Sequence, residues 1–234
     1  MFQNRTKRHW VMGLALGATM AFTAGCGSSK AARVDDAMMA RVPEDQLGEV
    51  RDAQLARTKA ADNVTRAEVA VRDAERATEV ARRNGDAAES RMEAERAAVK
   101  AAQATGQQAP IAQAQSKLQG AEAGRAAADA EVAWHERKTD TAKVEKDLRD
   151  AELKVADAEL NLAQYKALER SGDVRARDMS EANYLAAVAD AKREVEDARR
   201  RLGEQKRVEQ DARAEWQRLR SQAPQGYGGS GDAD

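Results

Sequence analysis

Aromatic residues are scarce, at 3% of the 234-residue chain. Both phenylalanines, Phe2 and Phe22, fall near the start, so the rest of the chain has no Phe. Its large rings are Trp134, Trp216, Tyr165, Tyr184 and Tyr227. A compact core that encloses a substrate usually needs more apolar bulk than this. Histidine is nearly absent too: after His9 only His135 remains. That excludes a histidine-based zinc site within one chain, and no nucleophile elbow accompanies His135 for a Ser-His-Asp arrangement. On a polar helical stretch, His135 is expected to be solvated. The chain has one cysteine, Cys26, so it can form no intramolecular disulfide. Prolines number three, at 43, 110 and 224. So few breakers permit helices far longer than those of an average globular domain.

No strong excess of either charge occurs. The net charge is −1, and removing Arg5, Lys7 and Arg8 of the leader brings the remainder near −4. This balance supplies no general electrostatic reason to bind nucleic acid. Nor is there a phosphate-binding loop or an isolated carboxylate pair. Acids alternate with bases at helical spacing, as in Glu68/Arg72, Asp73/Arg76 and Glu196/Arg200, which is the usual solvated face of a long helix. No catalytic residue, no cofactor site, no metal site and no small-molecule substrate are expected, and the chain reads as non-enzymatic.

What is abundant is charge (34%) together with Ala, Glu, Arg, Asp and Val. Such a composition with a 3.5-residue period points to coiled coil or long helix. A 3-4 spacing runs through Val50, Ala53, Arg57, Ala60, Val64, Ala67, Val71, Ala74, Thr78, Ala81, Gly85, Ala88, Met92, Glu95, Val99 and Ala102. Only Arg57, Thr78 and Glu95 break this run of apolar or small residues. Turn residues cluster at Thr105-Gly106-Gln107-Gln108-Ala109-Pro110 and again at Ser171-Gly172-Asp173-Val174. They divide the region into three predicted helices, 49–104, 110–169 and 177–220, with Gly106, Pro110 and Gly172 as turn residues.

In an antiparallel pair, facing residues keep a constant index sum. Ala102 with Ile111, Val99 with Ala114, Met92 with Ala121 and Ala81 with Val132 meet that condition across the first turn. Across the second turn the pairs are Tyr165–Tyr184, Leu162–Val188, Val155–Val195, Leu148–Leu202 and Trp134–Trp216. The fold class is therefore all-α, an elongated antiparallel coiled-coil bundle of three long helices. The second helix must serve two neighbours, and its seam changes phase over the polar stretch from His135 to Lys143. Where the third helix runs out, the first two continue as a two-helix arm. Gly120 and Gly124 signal close packing at most. Arg170, Arg175 and Arg177 form a small basic patch at the second turn.

The start of the chain has its own pattern. Arg5, Lys7 and Arg8 precede a short apolar run, Val11 to Phe22, too short for a comfortable transmembrane helix. Thr23-Ala24-Gly25-Cys26 follows. Residues 1–25 plus Cys26 resemble a bacterial lipoprotein precursor, with Thr23 standing where the family's lipobox usually has Leu. The resemblance implies cleavage before Cys26 and acylation of its thiol and new amino group, palmitate included. More than one acyl chain is what stable membrane attachment requires. Gly27 follows Cys26, where an Asp would imply retention at the inner membrane, so the resemblance implies the outer membrane facing the periplasm. The expected domains are a signal peptide (1–25), a lipid-anchored flexible tether (26–48), the helical bundle (49–220) and a Gly-rich disordered tail (221–234).

Tyr165-Lys166-Ala167-Leu168, Gly172-Asp173-Val174 and Glu181-Ala182 are similar to the hairpin tip of periplasmic adaptor (membrane-fusion) proteins. This implies an accessory role in an efflux or secretion assembly. The chain departs from that pattern at Gln164 and Arg175, where the family has Arg and Ser. The expectation for function is a structural scaffold or spacer lipoprotein of the cell envelope. It is held to the membrane through acyl chains and binds a protein partner, or itself, by coiled-coil contacts. An adaptor-like accessory and a periplasmic holdase chaperone are the alternatives.

Overall fold

The computed structural model describes residues 34–224. They are helical throughout, with no strand among them, and long helices packed against each other dominate. A short α1 (Asp36–Met39) and a 3₁₀ turn (Glu44–Gln46) come first. Then come α2 (Gly48–Thr105), α3 (Gln108–Arg170), a second 3₁₀ turn (Val174–Asp178) and α4 (Glu181–Gln222). At 1.5 Å per residue, the 58 residues of α2 span about 87 Å. No helix among the described residues is long and apolar enough to cross a membrane.

Of the seam positions read along the first helix, all but Arg57 are buried or half-buried in α2. Arg57 turns outward to Asp157 of α3. Small residues predominate on this seam, so each contact removes little area from water and stability must accumulate along the length. One layer is polar. The Thr78 hydroxyl lies 2.9 Å from that of Thr139, 3.0 Å from the Ala74 carbonyl and 3.1 Å from the His135 carbonyl. Ion pairs flank the seam, among them Arg82–Glu136, Lys143–Glu75 and Arg170–Glu49. As the residue number rises in α2, that of its α3 partner falls.

α4 follows α3 in the same opposed sense. Trp134 stacks on Trp216 and Tyr165 on Tyr184, with ring centroids 4.7 and 5.0 Å apart. Leu148, Ala151, Val195, Ala198 and Leu202 form a buried cluster between them, joined by half-buried Val144 and Val155. The residues of α3 that meet α2 (Val132, Thr139) and those that meet α4 (Trp134, Leu148, Val155) lie on opposite sides of a heptad wheel. α2 and α4 both contact α3 substantially, whereas no such contact joins α2 to α4. The three long helices therefore form a layer with α3 in the middle.

Several sequence expectations need correction. The described residues hold four α-helices, three long and one short, where three were expected. The stretch expected as flexible up to residue 48 is packed from Val34 onward. Val34 and Val42 are buried with Val50, Tyr165, Ala167, Leu168, Ala176 and Tyr184, and Met38, Met39 and Leu47 pack against them. The segment thus closes a core that also holds Leu168. The third helix begins at Glu181, not 177. Asp173 accepts a hydrogen bond from the Arg175 backbone N–H, and that bond winds 174–178 into the 3₁₀ turn. Met179 and Ser180 are then extended before α4 starts. Pro110 lies inside α3, at its third position. Its missing N–H costs nothing there, because the first intrahelical bond is made by Ile111 to Gln107. Gly106 and Gly172 do turn the chain, with φ of 68° and 73°.

Candidate functional site

Cys26, the proposed lipidation site, lies outside the described residues, as do Tyr227 and most of the Gly-rich tail. The chain enters the structure at Val34, which is buried in the core at the base of the layer. An anchor on Cys26 would therefore be separated from that core by the seven residues 27–33, which reach at most about 25–30 Å with the flanking bonds.

The structure brings the predicted hairpin residues together. Tyr165, Tyr184 and half-buried Leu162 belong to the base core. Leu148, Val155, Val195 and Leu202 meet in the middle cluster. Val188 is buried between the two, and Trp134 meets Trp216 near the end of α4. These are packing roles. The Tyr165 hydroxyl donates to Glu169 at 3.3 Å, and burial pushes its pKa up, as it does for Tyr184. Neither phenol is poised to lose a proton near neutral pH.

The basic patch at the second turn is largely neutralised. Arg170 bonds Glu49 of α2 at 3.0 Å. Arg175 bonds Asp173 at 2.5 Å, and that contact holds the Asp173 carboxyl well below the usual carboxylate range. Arg177 is the one member with no ion pair among the described residues. Asp178 follows it in the chain, and Asp35, Glu44, Asp45 and Glu181 belong to the segments at this end. An anionic membrane surface would find little net attraction there.

His135 differs from expectation by being half-buried, with its ring 4.4 Å from that of Trp134. Burial, and secondarily Lys138, lower its pKa. Its Nδ1 and the Trp134 Nε1 are buried without hydrogen-bond partners. Lys138 and Arg213 lie 5.5 and 5.7 Å from the Trp134 ring centroid, and Arg220 lies 5.1 Å from that of Trp216. The cluster tethers the last turns of α4 to α3.

Among the described residues no three His, Cys, Asp or Glu side chains converge as a metal site. The grooves are open channels between helices. One, of about 1200 Å³, runs over α3 and α4 and is lined by charged side chains such as Asp147, Lys154, Glu194 and Arg201. Lys154 and Glu194 pair across it at 2.6 Å. Exposed apolar side chains occur at Val174, at Leu185 and Val208 of α4, and along the edge of α2 turned away from α3. That edge exposes Leu55, Val69 and Val80 at 55%, 46% and 51%.

The base core is hidden in the sequence by the small, polar composition of residues 26–48. A signal was present: Val34, Met38 and Val42 repeat at four-residue spacing before Pro43. No protein-family model matches this chain, nor does any curated protein or solved structure.

Proposed function

We propose that the chain is a non-enzymatic scaffold lipoprotein of the cell envelope, acylated at Cys26 and held at the outer membrane facing the periplasm. In this reading the three long helices form an antiparallel coiled-coil body that presents a protein-docking edge. The observation that carries it is how the side chains are used. Charged groups are spent on ion pairs along and between helices, such as Arg149 with Glu145 and Glu152, and apolar groups on seams. The docked segment 34–47 adds support. Its burial against the long helices is compatible with an acyl-bearing residue upstream.

The adaptor-like alternative draws less support from the geometry. An adaptor tip must be open to its channel, yet Tyr165 and Leu168 are buried beneath the N-terminal segment. The test is Cys26→Ala in cells, read by fractionation and by incorporation of labelled palmitate. The variant is expected to leave the membrane fraction, lose the label and keep its helical circular dichroism. A variant that stays in the membrane fraction unlabelled, like the parent, would sink the anchor.

A further inference from the structure

The outer edge of α2 has the pattern of a second seam. Positions 55, 59, 62, 66, 69, 73, 76 and 80 repeat at 4-3 spacing away from the α3-facing seam, and all eight are exposed, with Arg66 also bordering a groove beside Ala142, Glu145 and Arg149 of α3. They read Leu55, Lys59, Asp62, Arg66, Val69, Asp73, Arg76 and Val80. α3 shows what two opposed seams mean in this protein, since each of its seams is covered by a neighbouring helix. α2 has a second, mixed apolar and charged edge, and among the described residues α3 is its one long-helix neighbour.

We propose that the outer edge of α2 binds the same edge of a second copy of this chain, antiparallel, about a two-fold axis at Val69. The proposal rests on the scaffold reading and names the partner that reading leaves open. The charge order selects both partner and direction. With Val69 facing its symmetry mate, Arg66 faces Asp73 and Asp62 faces Arg76, and the two-fold repeats each pair. Farther out, the stems of Lys59 and Arg83 cover Val80 and Leu55 of the other copy. One flank holds Ala56, Asn63, Ala70, Ala77 and Asn84, which repel nothing. On the other, Thr65 meets Arg72, Thr58 meets Glu79 and Arg51 meets Asp86. No like charges face each other in this register. A parallel pairing would set Lys59, Asp62, Arg66, Asp73 and Arg76 each against itself, which is repulsive at every charged position.

Within the chain, Asp62 and Arg66 form no ion pair among the described residues. Asp73 is held by Arg76 alone, in an exposed pair of little strength. Symmetry sets a further consequence. Gly48 of one copy lies near Ser90 of the other, so the two base cores stand about 63 Å apart at 1.5 Å per residue. Lipid anchors at both ends would lay such a dimer lengthwise along a single membrane.

The test uses the full processed chain extracted from membranes, its mass measured by light scattering. A dimer is expected. Arg66→Asp and Asp73→Arg should each weaken it on the order of tenfold or more, since each sets like charges together twice. The combined variant should restore it. Circular dichroism unchanged across the set separates this from unfolding. Direction is read by oxidation in the membrane, against the background set by Cys26 in the parent chain. Val69→Cys should give a disulfide-linked dimer, because only residues near the axis come within bridging distance. Leu55→Cys should not, as its two copies lie about 42 Å apart. A monomeric parent, no rescue by the combined variant, or ready crosslinking at 55 would each overturn the proposal. A monomer that crosslinks in cells to one unrelated envelope protein would overturn the dimer and leave the scaffold standing, whereas Cys26→Ala bears on the anchor alone.

Discussion

Leu168→Ala probes the core at the base of the layer. Leu168 is fully buried, at 0% exposure, among Val34, Val42, Val50, Tyr165 and Tyr184. Truncating a buried leucine removes its transfer free energy and leaves a cavity, for about 2–5 kcal/mol in all. The upper half of that range is expected here. The walls are three helical segments tied by a stacked tyrosine pair, so the site cannot collapse freely. The loss should also be local. Segment 34–47 is attached by apolar contacts to this core and by exposed pairs such as Arg51–Glu44, which are worth little. Its opening free energy should fall most, so its amides should exchange with deuterium on the order of a hundredfold faster, the ratio that about 2.7 kcal/mol represents. Urea unfolding followed by circular dichroism gives the global value, and exchange with mass spectrometry gives the local one. Leu185→Ala, at a 47% exposed leucine of α4, is the control and should stay within about 0.5 kcal/mol. A Leu168→Ala variant that costs no more than the control and leaves 34–47 protected would refute the base core.

Thr78→Val removes the hydroxyl at the centre of the polar layer and leaves the Thr139 hydroxyl buried without it, at an expected cost of about 1–3 kcal/mol. Pairing it with Thr139→Val should recover part of that cost, so urea midpoints for the cycle should be non-additive. His135 is held below its ordinary pKa in the folded chain, mainly by burial. The unfolded chain therefore takes up the proton first, and stability should fall as pH drops from about 6.5 through the lower folded value, then level off. Thermal melts of a His135→Gln variant should lack that step. Trp216→Ala removes the ring that stacks on Trp134 and lies under Arg220. It should speed amide exchange over the last turns of α4 while Tyr184 and its neighbours stay protected. Equal loosening along the whole helix would contradict the tether.

The long helices were legible because their physics is local and periodic. A 3-4 repeat of Ala, Val and Met says helix and seam at once, and turn residues at 106 and 172 say where each helix ends. The stacked pairs Tyr165–Tyr184 and Trp134–Trp216 were legible for the same reason, since register in an antiparallel pair is arithmetic. Three things were not. The start of α4 depends on Asp173 capping a 3₁₀ turn, a choice between two local structures of similar cost. The packing of 34–47 depends on a hydrophobic surface that exists only once α2, α3 and α4 are side by side. The half-burial of His135 follows from its neighbour Trp134, whose ring is drawn into α4 by Trp216.

The phase change in the middle of α3 now has a physical meaning. Were α2 and α4 adjacent, one broad apolar stripe on α3 would serve both, and the seam would need no second phase. Instead Val132 and Thr139 point one way and Leu148 and Val155 the other, which is what a helix in the middle of a layer requires. A layer differs from a closed bundle in that it has edges, and an edge helix keeps a free side. Along α4 that side is crowded with charge, as at Arg193, Arg200 and Arg207. Along α2 it carries Leu55, Val69 and Val80 in a self-complementary order of charges. α4 also exposes Leu185 and Val208, so it is the self-complementary order of charges, not apolar exposure, that assigns self-recognition to the α2 edge.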